Sequence, residues 1–86
     1  MFDINYFRLS RKLNKKEVEV DELYRKIDRH REGLRQVFER YEQGTIREPV
    51  AIEFVGLYTD QLLKWEAEVS ALEFEILSLK KELSLY

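Results

Sequence analysis

The stretch whose reading decides the fold is 55-VGLYTDQLLKWEAEVSALEFEILSLKKEL-83. Val55, Leu62, Val69, Ile76 and Leu83 recur in it every seventh residue, with Tyr58, Trp65, Leu72, Leu79 and, just beyond it, Tyr86 as their companions. A seven-residue apolar repeat keeps one stripe of a helix turned toward a partner helix, and sustained over this many turns it marks a coiled-coil seam. The same period runs through the first half of the chain. There the leading positions are Tyr6, Leu13, Val20, Ile27, Leu34 and Tyr41, with Leu9, Lys16, Leu23, His30 and Val37 as companions. The register breaks once, near Gly44–Pro49.

The boundaries follow from capping chemistry. Asp3 can cap a first helix beginning near Ile4, because its carboxylate accepts from the orphan N–H groups of the first turn. Phe2 and Phe7 stand at the two positions of a hydrophobic staple. Gly33 is the one weak point of that helix, costing about 1 kcal/mol relative to alanine. Gly44 is its natural stop, since glycine takes the left-handed conformation that closes a helix. Thr45, Glu48 and Pro49 supply start signals for a second helix, with proline tolerated in the first turn. The expectation is a single all-α domain over residues 1–86: helix 1 about 4–43, a turn at 44–48, and helix 2 about 49–84. At 1.5 Å per residue the helices measure roughly 60 and 54 Å, and so short a connection makes them antiparallel. In that hairpin His30 comes level with Trp65.

Helix 2 carries a second apolar stripe at Leu63, Ala67, Ser70, Phe74 and Leu77, extended by Ala71 and Leu85. It lies about 150° around the helix from the seam and so cannot face helix 1. Outward positions of helix 1 are mostly charged, with only Tyr24 and Phe38 flanking its seam. A helix apolar on both sides is a buried helix. The chain is therefore expected to dimerise into a four-helix bundle, with helix 2 central and Leu63, Ala67, Ser70, Ala71, Phe74 and Leu77 at the dimer interface. The small residues among them let two backbones approach.

Composition agrees with long helices. Of 86 residues, 37% are charged and 44% hydrophobic, with three Gly and one Pro, a profile that argues against a sheet or a disordered tail. With no cysteine there is neither a disulfide framework nor a thiolate zinc site. No apolar run approaches the roughly 20 residues of a membrane span, and residues 1–10 lack the layout of a signal peptide. A cytoplasmic location and no membrane partner are the expectation. The net charge of −2 is uneven: residues 1–43 hold 11 Lys/Arg against 9 Asp/Glu, and residues 44–86 hold 4 against 8. Opposite bias on two packed helices favours their mutual pairing over like-with-like association.

Little in the chain points to chemistry. His30 is the one histidine, and its seam position makes it a packed core residue rather than a base or ligand. No His-x-x-x-His or Glu-x-x-His spacing exists, so no metal and no cofactor is expected. Lys16, the other polar seam residue, fits a register or snorkelling role near the open end. The glycines are isolated, and no phosphate loop or nucleophile elbow is present. Leu23–Leu34 (LYRKIDRHREGL) faintly resembles the first-helix pattern of the all-helical chorismate mutases. That family has its catalytic arginine three residues before the isoleucine, where this chain has Tyr24, and Arg25 is one step out of register. No enzymatic activity and no catalytic residue are expected.

The most suggestive charge run is Arg8, Arg11, Lys12, Lys15 and Lys16, five cations with no acid among them, to which an antiparallel hairpin returns Lys80 and Lys81. Such a cluster suits phosphates or an acidic partner. Against that use, Glu75 and Glu82 lie nearby and base-stacking aromatics are not interleaved with the cations. The leading expectation is a non-enzymatic protein–protein interaction module, an adaptor, small chaperone or regulator. It would act as a homodimer and meet its partner through Ile46, Val50, Ile52 and Phe54 near the turn and Phe2 and Phe7 at the end. The alternative is a nucleic-acid-binding bundle using the cationic end.

Overall fold

The computed structural model describes residues 3–86. Two helices account for nearly all of them: α1 (Ile4–Glu42) and α2 (Glu48–Leu83), packed antiparallel as a rod of 67 × 15 × 13 Å. The all-α hairpin expected from the heptads is what forms. Each helix boundary falls within a residue of its expected place.

Local chemistry explains both ends of α1. Asp3 is extended, and its carboxylate accepts from the N–H groups of Asn5 at 2.8 Å and Tyr6 at 3.3 Å. The staple with Phe2 lies outside the described residues. At the other end Gly44 has φ +76°, the one positive φ among the described residues. Its N–H donates to the Tyr41 carbonyl at 3.0 Å, and the Thr45 N–H reaches back to Arg40 at 2.9 Å. This pair of bonds is a Schellman closure, which satisfies carbonyls that the helix end would leave orphaned.

One expected start signal belongs to the other helix. Thr45 does not cap α2; its hydroxyl donates to the Arg40 carbonyl at 2.9 Å and so completes the end of α1. The N-cap of α2 is Arg47, extended and without a side-chain capping bond. Glu48 and Pro49 open the helix instead, a carboxylate at the positive end of the dipole and a residue that needs no N–H partner there.

The core is the seam. Val20, Leu23, Ile27 and Val37 on α1 are buried with Ala51, Leu62, Val69 and Leu79 on α2, and no polar side chain is buried among the described residues. Ile27, at 2% exposure, is the best covered. Leu34, Trp65 and Leu72 pack against the central cluster of Leu23, Ile27, Leu62 and Val69. Cover thins toward both ends, where Tyr6 and Tyr41 are exposed; Tyr6 meets the Tyr86 ring edge-on at 5.9 Å and closes the open end.

Gly33 acquires a reason in this packing. A Cβ placed on it would lie 2.8 Å from Cε1 of Tyr58, so the ring occupies the space a side chain would need. The Tyr58 ring in turn meets His30 edge-on at 4.9 Å, and His30 meets Trp65 the same way at 4.5 Å. His30 and Trp65 are thus level, as the hairpin register requires.

Candidate interaction surfaces

Two kinds of surface emerge: a strip on α2 that the hairpin leaves uncovered, and charged flanks that zip the two helices together. The strip comes from the second period of α2. Leu63, Phe74 and Leu77 are 60%, 72% and 66% exposed, and Ala67, Ser70 and Ala71 are open as well. All six expected interface residues therefore lie on the side of α2 turned away from α1, with Leu85 continuing the strip at 82% exposure. Their neighbours one step round the helix, Leu62 and Val69, are buried.

The flanks hold the hairpin in register. Arg31 donates to Glu66 at 3.1 Å, Lys16 lies 3.1 Å from Glu75, and Lys80 lies 4.0 Å from Glu17. Tyr24 donates its phenolic proton to the Glu73 carboxylate. That hydrogen bond, with lesser help from desolvation and the charge of Glu73, holds the Tyr24 phenol above its ordinary pKa. Lys16 is likewise held above the usual lysine value, first by the Glu75 hydrogen bond and then by the charges of Glu19 and Glu75. On α1 alone, Arg35 grips Glu32 and Glu39 along one face, and its hydrogen bond lowers the Glu32 carboxyl below the usual range. Exposed pairs such as these are worth roughly 0–1 kcal/mol each. Their value lies in fixing which residues stand opposite.

The cationic end is broken up by the same pairings. Lys16 is half-buried and tied to Glu75 and Glu19, and Lys80 approaches Glu17. Arg11 stacks its guanidinium over the Phe7 ring at 5.7 Å. Arg8, Lys12 and Lys15 are exposed on α1 and make no ion pair among the described residues. Lys81 falls in line with the α2 strip, on the other side of the rod from those three. The seven cations therefore do not converge on one phosphate-sized site.

Near the turn the seam opens into shallow grooves. Phe38, Tyr41, Ala51, Ile52 and Val55 line one, with Glu48 at its edge. On the other side of the hairpin His30, Phe54, Leu57, Tyr58, Gln61 and Trp65 line a second, of about 380 Å³. Of the contacts expected there, Val50, Ile52 and Phe54 are exposed and Ile46 is half-buried; Phe2 lies outside the described residues. Sequence reasoning missed Leu57, 61% exposed on the rim of the second groove. It belongs to neither heptad stripe, but its i, i+3 spacing from Phe54 sets the two side by side on α2, a signal the sequence already carried.

No group of acidic, histidine or cysteine side chains among the described residues could hold a metal ion, and no helix is long and apolar enough to cross a membrane. Compared with known proteins, the chain matches no family model, no curated protein and no solved structure.

Proposed function

We propose that this chain is a non-enzymatic protein–protein interaction module, an adaptor, small chaperone or regulator, working as a homodimer of hairpins in a four-helix bundle. The observation that carries the reading is the exposure of Leu63, Phe74 and Leu77 on a helix whose opposite face is already buried. Monomeric proteins seldom leave a continuous apolar strip of this length in water, and such strips mark association surfaces. A second copy of α2 covers it with the same residues. The partner protein then meets the grooves at the turn, where Phe54 and Leu57 offer aromatic and aliphatic side chains beside the Arg40 and Glu48 rims.

Light scattering on the eluting protein tests the association. A mass twice the 10.5 kDa of one chain is expected. Phe74→Glu should return it to one chain while the helical circular dichroism persists, because Phe74 is open within the hairpin. A single-chain mass for the unaltered protein at micromolar concentration sinks the dimer. The nucleic-acid reading makes the opposite demand: affinity for duplex or single strands that falls steeply with salt and vanishes with Arg11, Lys12 and Lys15 changed to Glu. Indifference to those changes leaves the interaction module.

A further inference from the structure

Gly56 sits in the interior of α2 with nothing within 4 Å of where its Cβ would be. A glycine weakens a helix interior. Gly33 is explained by the Tyr58 ring, whereas Gly56 has no such neighbour inside the hairpin. Its place on the helix is informative: at 100° per residue it falls in line with Leu63, Phe74 and Leu77 on the uncovered strip. Ile52 and Thr59 extend that line toward the turn, and Lys81 ends it. From Ile52 to Leu77 the line carries no charge.

The outer steps of the line match from either end. Steps from Ile52 to Gly56, Thr59 and Leu63 are 4, 3 and 4; steps back from Lys81 to Leu77, Phe74 and Ser70 are 4, 3 and 4. Its centre falls between Glu66 and Ala67. We infer that the second copy packs on α2 antiparallel, about a two-fold axis at that point; the inference rests on the homodimer proposed above and adds its direction and register. Reversal brings Leu77 to the level of the partner's Gly56, Phe74 to the partner's Thr59, and Leu63 to the partner's Ser70. Each of these three large side chains meets a small one, which is the interdigitation close packing requires. Gly56 is the space that receives Leu77.

Charge agrees. Lys81 comes level with Ile52 of the other copy, one residue from its Glu53, so a cation ends each strip beside an acid. The Glu66 carboxylates near the axis each arrive with Arg31 3.1 Å away. A parallel, in-register pairing sets Lys81 against Lys81, stacks Phe74 on Phe74, and leaves a gap between two Gly56. The strip is about 44 Å long and about 10 Å wide, or about 900 Å² in plan over two copies. Side-chain relief lifts the accessible area above that figure, to the ~1,000 Å² or more of a specific interface.

The experiment joins a swap to a distance. Gly56→Leu and Leu77→Ala are each expected to raise the dimer dissociation constant at least tenfold, measured by sedimentation, while the hairpin keeps its helicity because both sites are open within it. The double variant is expected to return to within about threefold of the parent, because the large and small residues have exchanged places across the axis. A spin label on Glu82→Cys should report about 46 Å between copies, from 31 residues of axial offset at 1.5 Å each; a parallel pair gives less than about 25 Å. A short distance, or a double variant no better than the singles, in a protein that is still a dimer overturns the antiparallel register alone. A monomeric parent overturns the homodimer with it.

Discussion

Leu62 and Leu63 are adjacent in the chain and opposite in circumstance. One is 9% exposed in the hairpin seam and the other 60% exposed on the strip behind it. Both belong to apolar stripes of helical period, and nothing in their local sequence distinguishes them. Only the seam has its partner in the same molecule. The comparison teaches that periodicity identifies the faces that require cover, while chain connectivity supplies that cover for one face only.

The sharpest way to break that distinction is to truncate both leucines in turn. Leu62→Ala removes a packed side chain and leaves a cavity, so it should cost about 2–5 kcal/mol in chemical denaturation. That loss should be the same at any protein concentration. Leu63→Ala should leave the hairpin itself within about 0.5 kcal/mol, as expected of surface positions. Its effect should instead grow with concentration, because a dimer's stability depends on mass action. Equal, concentration-independent losses at the two sites would erase the difference between the faces.

Most of the fold was legible because the signals are local or strictly periodic. Asp3 and Gly44 act through backbone groups a few residues away, so their roles follow from residue type and position. His30 and Trp65 meet because a short turn fixes the pairing of levels along the rod. What escaped was contact between surfaces that the sequence presents separately. Tyr24 looked like an apolar flank of the α1 seam, yet its hydroxyl reaches Glu73, 49 residues away. Thr45 carried the composition of a helix start but sits nearer the orphan carbonyl of Arg40. The uncovered strip was legible as a strip; the cationic end is divided only in part, because Glu75 draws Lys16 and Glu17 draws Lys80 while Arg8, Lys12 and Lys15 stay exposed on α1.

Gly33 and Gly56 sharpen the comparison at a smaller scale, since each belongs to one face. Gly33→Ala gains about 1 kcal/mol of helix propensity but drives a Cβ to 2.8 Å from the Tyr58 ring. Overpacking of this kind costs about 1–3 kcal/mol. A net loss near 1 kcal/mol is expected in urea unfolding, together with a changed Trp65 fluorescence as the Tyr58–His30–Trp65 stack moves. Net stabilisation would show that the ring yields freely and that the seam is not tightly packed there.

The smallest effect expected is electrostatic and lies between the two faces. The Tyr24 phenol is held above its ordinary pKa because Glu73 accepts its proton. A group whose pKa is raised by folding contributes stability that is complete below its unfolded value, about 10. That contribution is lost as pH rises through the folded value. Stability of the hairpin should therefore fall more steeply above pH about 10 than that of Tyr24→Phe, which lacks the titrating proton, while the two differ little at neutral pH. Absorbance of the phenolate during titration checks the shift directly, by the loss of one late-ionising tyrosine in the variant. Coincident alkaline profiles would mean that water replaces Glu73 at no cost. The helices would then be held opposite each other by the buried seam alone.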